Sequence, residues 1–176
     1  MRVSLLVTSV ALALAAAGCG SSGSAPDNSP AGDIPDNTAF VAFRPAGQRY
    51  EIKVPEGWQR TESGAVVTFT DKLNAIRVET RPAAAAPTVA SAKADVPSAA
   101  VERAETVQRK GGDAILVVYR ADSAADPVTG KVVPDTVERY AFWHNGTEAL
   151  VTLSGPVGAD NVDPWRTVTD SFAWLS

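Results

Sequence analysis

The sequence predicts an α+β domain, an antiparallel sheet of about six or seven strands packed with helices. Three observations carry this. Stretches such as Tyr50-Glu51-Ile52-Lys53-Val54 alternate apolar and polar residues with the period of a strand. Asn145-Gly146 lies between two strand-like stretches and tolerates the two positive φ values of a type I′ hairpin turn. Near the C-terminus Val162, Trp165, Val168, Phe172 and Leu175 recur at spacings of three and four, one stripe of an amphipathic helix.

Two segments of different composition precede the domain. Arg2 and the apolar run Val3 to Ala17 have the charge and length of a secretory signal, and the run falls short of the roughly 20 apolar residues a spanning helix needs. It ends in Ala16-Ala17-Gly18-Cys19, and Cys19 is the sole cysteine. This arrangement resembles a bacterial lipoprotein signal. The resemblance implies cleavage before Cys19, lipid on its sulfur and a mature protein anchored to the outer face of the cell membrane. Residues 19–39 are rich in Gly, Ser and Pro, with too little apolar surface to offset chain entropy, and read as a disordered tether. Such a tether spans about 25 Å. Residues 40–176 remain as a single domain, large enough for one substantial core.

Within the domain, Tyr50, Ile52 and Val54 should face a core, and Pro55-Glu56-Gly57 should turn the chain. Trp58 should pack back on the sheet. Ala65 to Thr70 and Ala75 to Arg81 read as strands joined by a hairpin at Asp71 to Asn74. Pro82 to Pro87 breaks the pattern. Ala-rich Val89 to Ala100 reads as a helix as far as Pro97. Gly111-Gly112 is a two-residue turn signal. Ala114 to Tyr119 is continuously apolar and should be a central strand buried on both faces. Arg120 to Pro134 reads as a long polar loop. Val137 to Trp143 and Glu148 to Leu153 flank the Asn145-Gly146 turn. Asp163 should cap the last helix with Pro164 at its first position.

Several motifs carry a resemblance. Tyr50-x-Ile52-x-Val54-Pro55-x-Gly57-Trp58 is followed by a hairpin, a helix and two further hairpins. The late segment contains Arg139-Tyr140-x-Phe142, Val151-x-Leu153-x-Gly155-Pro156, Asp160-Asn161-x-Asp163-x-Trp165 and Asp170-Ser171-Phe172-x-Trp174. Together they resemble the PsbP-like fold, and the late segment is similar to actinobacterial lipoproteins of that fold; the Ala, Val, Gly and Pro richness agrees with such a source. Members of the fold include an extrinsic subunit of the photosynthetic oxygen-evolving complex and a nuclear-transport GTPase-binding protein. The resemblance implies a binder or assembly factor and carries over no binding residue.

A formal charge of −4 and no basic stripe argue against nucleic acid. His144, the sole histidine, sits at a hairpin tip, away from any nucleophile motif. Zinc would need three or four imidazole or thiolate ligands and the domain offers one. Asp160, Asn161 and Asp163, and Asp122 with Asp126, lack the alternating spacing of a calcium loop. Gly130-Lys131 lacks the remaining residues of a phosphate loop. Asn145-Gly146-Thr147 reads as a turn before it reads as a glycosylation acceptor. Glu51, Glu56, Glu62 and Glu79 would make an acid/base pair only if the fold joined two of them in a cleft.

Among four tryptophans, Trp143 and Trp174 are the candidate contacts for a ligand or partner. Trp143 shares a face with Val137, Arg139 and Ala141, and Trp174 lies off the helical stripe. The expectation is therefore a non-catalytic envelope module, without cofactor or metal, with lipid on Cys19 and an envelope protein, glycan or lipid as partner. The alternatives are an envelope hydrolase using an Asp/Glu pair and a carrier of an apolar ligand.

Overall fold

A computed structural model describes residues 32–97, 100–126 and 128–176. The leader and Cys19 lie outside the described residues. The chain runs β1 (Phe40–Phe43), β2 (Tyr50–Pro55), β3 (Gln59–Ser63), β4 (Val66–Asp71), β5 (Asn74–Pro82), α1 (Val89–Ala94), β6 (Val101–Arg109), β7 (Gly112–Asp122), β8 (Pro134–His144), β9 (Thr147–Pro156), α2 (Val162–Ser171) and β10 (Ala173–Trp174). Seven strands form one antiparallel sheet in the order β3-β4-β5-β9-β8-β7-β6, and β1-β2-β10 form a second sheet.

The two faces of the large sheet have different covers. Even-numbered residues of β7 and β8, among them Leu116, Tyr140 and Phe142, join Val151 and Leu153 of β9 and Ile76 and Val78 of β5 in the main core. The small sheet supplies Tyr50, Ile52 and Val54 to that core, and α2 supplies Trp165 and Val168. The rings of Tyr50, Phe172 and Phe142 stack in series, with centroids 5.6 and 4.4 Å apart. On the outer face Ile115, Val117, Ala141 and Leu150 pack with Ala92 and Val96 from α1 and its C-terminal exit. Arg81 ties this region together, pairing with buried Glu148 at 2.6 Å and with Asp95 at the C-cap of α1.

The main sheet has the expected number of strands and the expected antiparallel sense. Ala114 to Val118 is buried on both faces as expected, although β7 lies next to the edge and β9 occupies the middle. Several expectations need correction. Tyr50–Val54 belongs to the small sheet, so the layer opposite the large sheet is half strand and only partly helix. The polar excursion after β7 is shorter than Arg120–Pro134, because β7 and β8 pair as far as Asp122↔Pro134. The third correction concerns where the body begins.

That body begins before Phe40. Ile34 is 4% exposed and packs in the main core. Its backbone N–H donates to Asn161 Oδ1 at 2.8 Å. Asn161 Nδ2 donates to Gly32 O and to Asn74 Oδ1, each at 3.0 Å, while Asn74 Nδ2 donates to Gly32 O at 2.9 Å. Two buried asparagines thus clasp the incoming strand of chain, and residues from Gly32 onward are not part of a free tether.

The same clasp explains the misread cap. Helix α2 starts one residue before Asp163, at Val162, with Asn161 in the N-cap place. Asn161 makes no side-chain cap because its amide is committed to Gly32, Ile34 and Asn74. Pro164 falls within the first turn, where a missing N–H costs nothing. Val162 is 64% exposed and leaves the expected stripe, and Leu175 lies beyond the helix.

Candidate functional site

The chain brings Trp174 and His144 together by two separate routes. Phe172 ends α2 with extended backbone (φ −59°, ψ 129°), and its ring is fully buried in the main core. The chain then pairs with β2, Ala173 opposite Glu51 and Trp174 opposite Tyr50, and Leu175 N–H donates to Arg49 O at 2.9 Å. His144 closes β8, where Asn145 (φ 46°) and Gly146 (φ 80°) adopt the two left-handed conformations expected of the turn. Its ring stacks on Trp174, centroids 5.7 Å apart and planes 27° apart. Phe172 meets Trp174 edge-on at 5.2 Å.

These residues form one side of a cleft of about 480 Å³, completed by Gln48, Arg49, Asn145 and Thr147. That volume suits a small ligand or one side chain of a partner. The lining offers an aromatic face, one guanidinium, side-chain amides and the hydroxyl-bearing Thr80, Thr147 and Ser176. Trp174 Nε1 is buried without a hydrogen-bond partner, which is costly for an indole N–H. His144 Nε2 lies 3.0 Å from Asn145 Nδ2. Among the described residues no carboxylate or hydroxyl is hydrogen-bonded to the imidazole.

Trp143 is elsewhere. It projects from the outer face, is half-buried, and its Nε1 donates to Ala83 O at 2.9 Å, pinning the Pro82–Pro87 segment over the sheet. It lines a separate cleft with Ala86, Pro87 and Thr106. The two candidate tryptophans therefore do not share a site.

The carboxylates examined in the sequence are also dispersed. Glu51 pairs with Arg44, Glu62 with Arg60 at 3.1 Å and Glu79 with Arg77 at 2.6 Å. Asp160 N–H donates to Asp33 Oδ1 at 2.9 Å, and Asp163 lies in the first turn of α2. Among the described residues no group of three or more His, Cys, Asp or Glu is placed to hold a metal ion. Two buried phenols have displaced titrations. Burial and then the charge of Glu62 hold Tyr50 far above the usual range. Tyr140 is pushed up to about 12, first by burial and then by Glu138, to which its hydroxyl donates at 2.7 Å.

Sequence reasoning missed one residue of this kind. Asp135 is 5% exposed, and its Oδ1 has no hydrogen-bond partner. Its place was hidden because the strand was expected to begin at Val137. Extending that strand two residues puts Asp135 on the same face as Val137, Arg139, Ala141 and Trp143.

No family model matches the chain. No curated protein sequence matches it either. Among solved structures it is similar to the solution structure of cyanobacterial PsbP (CyanoP) from Synechocystis sp. PCC 6803, at 18% identity and a TM-score of 0.53, over 89% of this chain and 100% of that one. It is also similar to a crystal structure from Bacteroides thetaiotaomicron VPI-5482, at 11% identity and a TM-score of 0.47 over 72% of this chain; the chain spans 45% of that protein's length. The fold is PsbP-like.

Proposed function

We propose that the chain is an extracytoplasmic lipoprotein, held on the outer face of the cell membrane by lipid on Cys19. There it acts as a non-catalytic binding or assembly module of the cell envelope. The observation that carries this reading is the sequence Ala16-Ala17-Gly18-Cys19 behind an apolar run, with no second cysteine to pair with Cys19. One acyl chain holds a protein only marginally, whereas two or more give durable attachment. Among the described residues no helix is long and apolar enough to cross a membrane.

The binding part of the reading is supported by the Trp174–His144 cleft, which combines a half-buried aromatic with polar groups. Large aromatic side chains at the centre of a contact supply much of its energy. The partner class that suits the cleft is an envelope protein or glycan presenting a flat apolar face edged by hydrogen-bonding groups. The hydrolase alternative requires two carboxylates facing one substrate. Asp126 and Asp135 line a common cleft, but Asp126 is fully exposed and serves as a turn former, which favours the binding reading.

A photo-reactive residue replacing Asn145, at the cleft mouth, tests this in intact membranes. One specific adduct is expected, and Trp174→Ala should reduce it about tenfold while leaving the fold intact. An adduct indifferent to Trp174→Ala, or none at all, would remove the Trp174 cleft from the account.

A further inference from the structure

A second cleft, of about 450 Å³, opens at the opposite end of the large sheet from His144. Asp135 and Ala75 reach it from the sheet. Leu73 comes from the β4–β5 turn, and Ala124, Lys131 and Val133 come from the excursion between β7 and β8. At the turn Lys72 holds a φ of 50°, a left-handed conformation that a non-glycine residue rarely adopts. The turn leaves Leu73 41% exposed along the cleft.

Asp135 is the unexplained group. Buried carboxylates are normally paired or fully hydrogen-bonded. Asp135 instead has a bare Oδ1, and burial together with the negative charge of Asp122 pushes its carboxyl above the usual range. Asp126, which also lines the cleft, is already spent. Its Oδ1 accepts from Thr129 N–H at 2.7 Å, Thr129 Oγ1 at 2.8 Å and Val128 N–H at 3.1 Å. Among the described residues three carboxylates do not converge here, so a divalent metal is poorly served. The missing partner is a single hydrogen-bond-donating cation that fits beside alanine, leucine and valine side chains.

We propose that this cleft binds a primary alkylammonium ligand, the ammonium donating to the carboxylate of Asp135 through its accessible oxygen and a short hydrocarbon stem lying along Leu73, Ala75, Ala124 and Val133. Lys131 also lines the cleft, so a second ammonium on the ligand is repelled and a monoamine is preferred to a diamine.

The test is an amide NMR titration of the full chain with n-pentylamine at mildly alkaline pH. Saturable shifts are expected at Leu73, Ala75 and Ala124. Asp135→Asn, close to isosteric, should weaken binding by roughly tenfold or more. Ala124→Trp, at an exposed position, should block the cleft without touching the core. Cadaverine should bind more weakly than n-pentylamine, and n-pentanol, an uncharged probe with the same stem, should not saturate. The proposal is overturned if folded Asp135→Asn binds n-pentylamine as well as the parent chain, or if n-pentanol matches n-pentylamine. It also fails if cadaverine binds at least as tightly, or if calcium ions reproduce the same shifts at micromolar concentration.

Discussion

Asn161 and Asn74 hold the N-terminal approach by pairing buried amide groups with backbone that would otherwise be stranded. Truncating either one leaves buried donors and acceptors unpaired, each costing about 1–3 kcal/mol. Asn161→Ala is expected to lower stability by about 2–3 kcal/mol, read by urea denaturation. Gly155 sits under the same pair: a Cβ there would lie 2.4 Å from Asn74 Oδ1 and 2.9 Å from Asn161 Nδ2. Gly155→Ala should therefore damage the clasp without removing any hydrogen-bonding group. Asp135 makes the opposite prediction. Its carboxyl titrates above the ordinary range in the folded protein, so the protonated form is the one folding favours. Below the unfolded value, about 4, both states are protonated and no stability is lost. As pH rises through the folded value, a charge appears in a buried site and stability falls. Asp135→Asn should thus stabilise the protein by about 1 kcal/mol at neutral pH and by nothing near pH 3, compared by thermal melts at the two values. None of these roles was legible in composition or spacing. Asp160-Asn161-x-Asp163 has the signature of a helix start, and only the tertiary position of Gly32 and Ile34 diverts Asn161 from capping to clasping.

At the level of elements, strands with regular alternation or a strong turn were read correctly, and those lacking both were missed. Strand β3 is Gln-Arg-Thr-Glu-Ser, exposed at every position, an edge strand that the register with β4 defines and hydrophobic pattern cannot. Its one packing contribution is Arg60, whose guanidinium lies 5.1 Å from the centroid of the Phe43 ring. Strand β1 is four residues, too short for periodicity to register. The C-terminal stripe was right about Trp165, Val168 and Phe172 and wrong about their shared element, because α2 stops at Ser171. Phe172 is the pivot: it fills the core, turns the chain into β10 and sets Trp174 against His144. Phe172→Ala should cost about 3–5 kcal/mol and open the Trp174 environment, seen as a red-shifted and more quenchable tryptophan emission. Gly111, at the β6–β7 turn, approaches so closely that a Cβ would lie 2.6 Å from Phe172 O. Gly111→Ala should produce a weaker version of the same spectral change. The site itself was half legible: Trp174 was singled out by leaving the stripe, but its stacking on His144 depends on a strand pairing of two residues that no local pattern encodes.

For the whole molecule, packing of the PsbP-like body begins at Gly32, so the proposed tether ends there rather than at Ala39. The two clefts lie at opposite ends of the large sheet. Everything proposed about place and partner depends on Cys19. The most direct measurement is intact-mass and peptide mass spectrometry of the mature chain recovered from the membrane fraction, alongside a Cys19→Ala chain. The expected result is a first residue Cys19 carrying diacylglycerol mass on its sulfur, and no lipid mass on the Cys19→Ala chain. A free Cys19 thiol on protein recovered from the medium would contradict it.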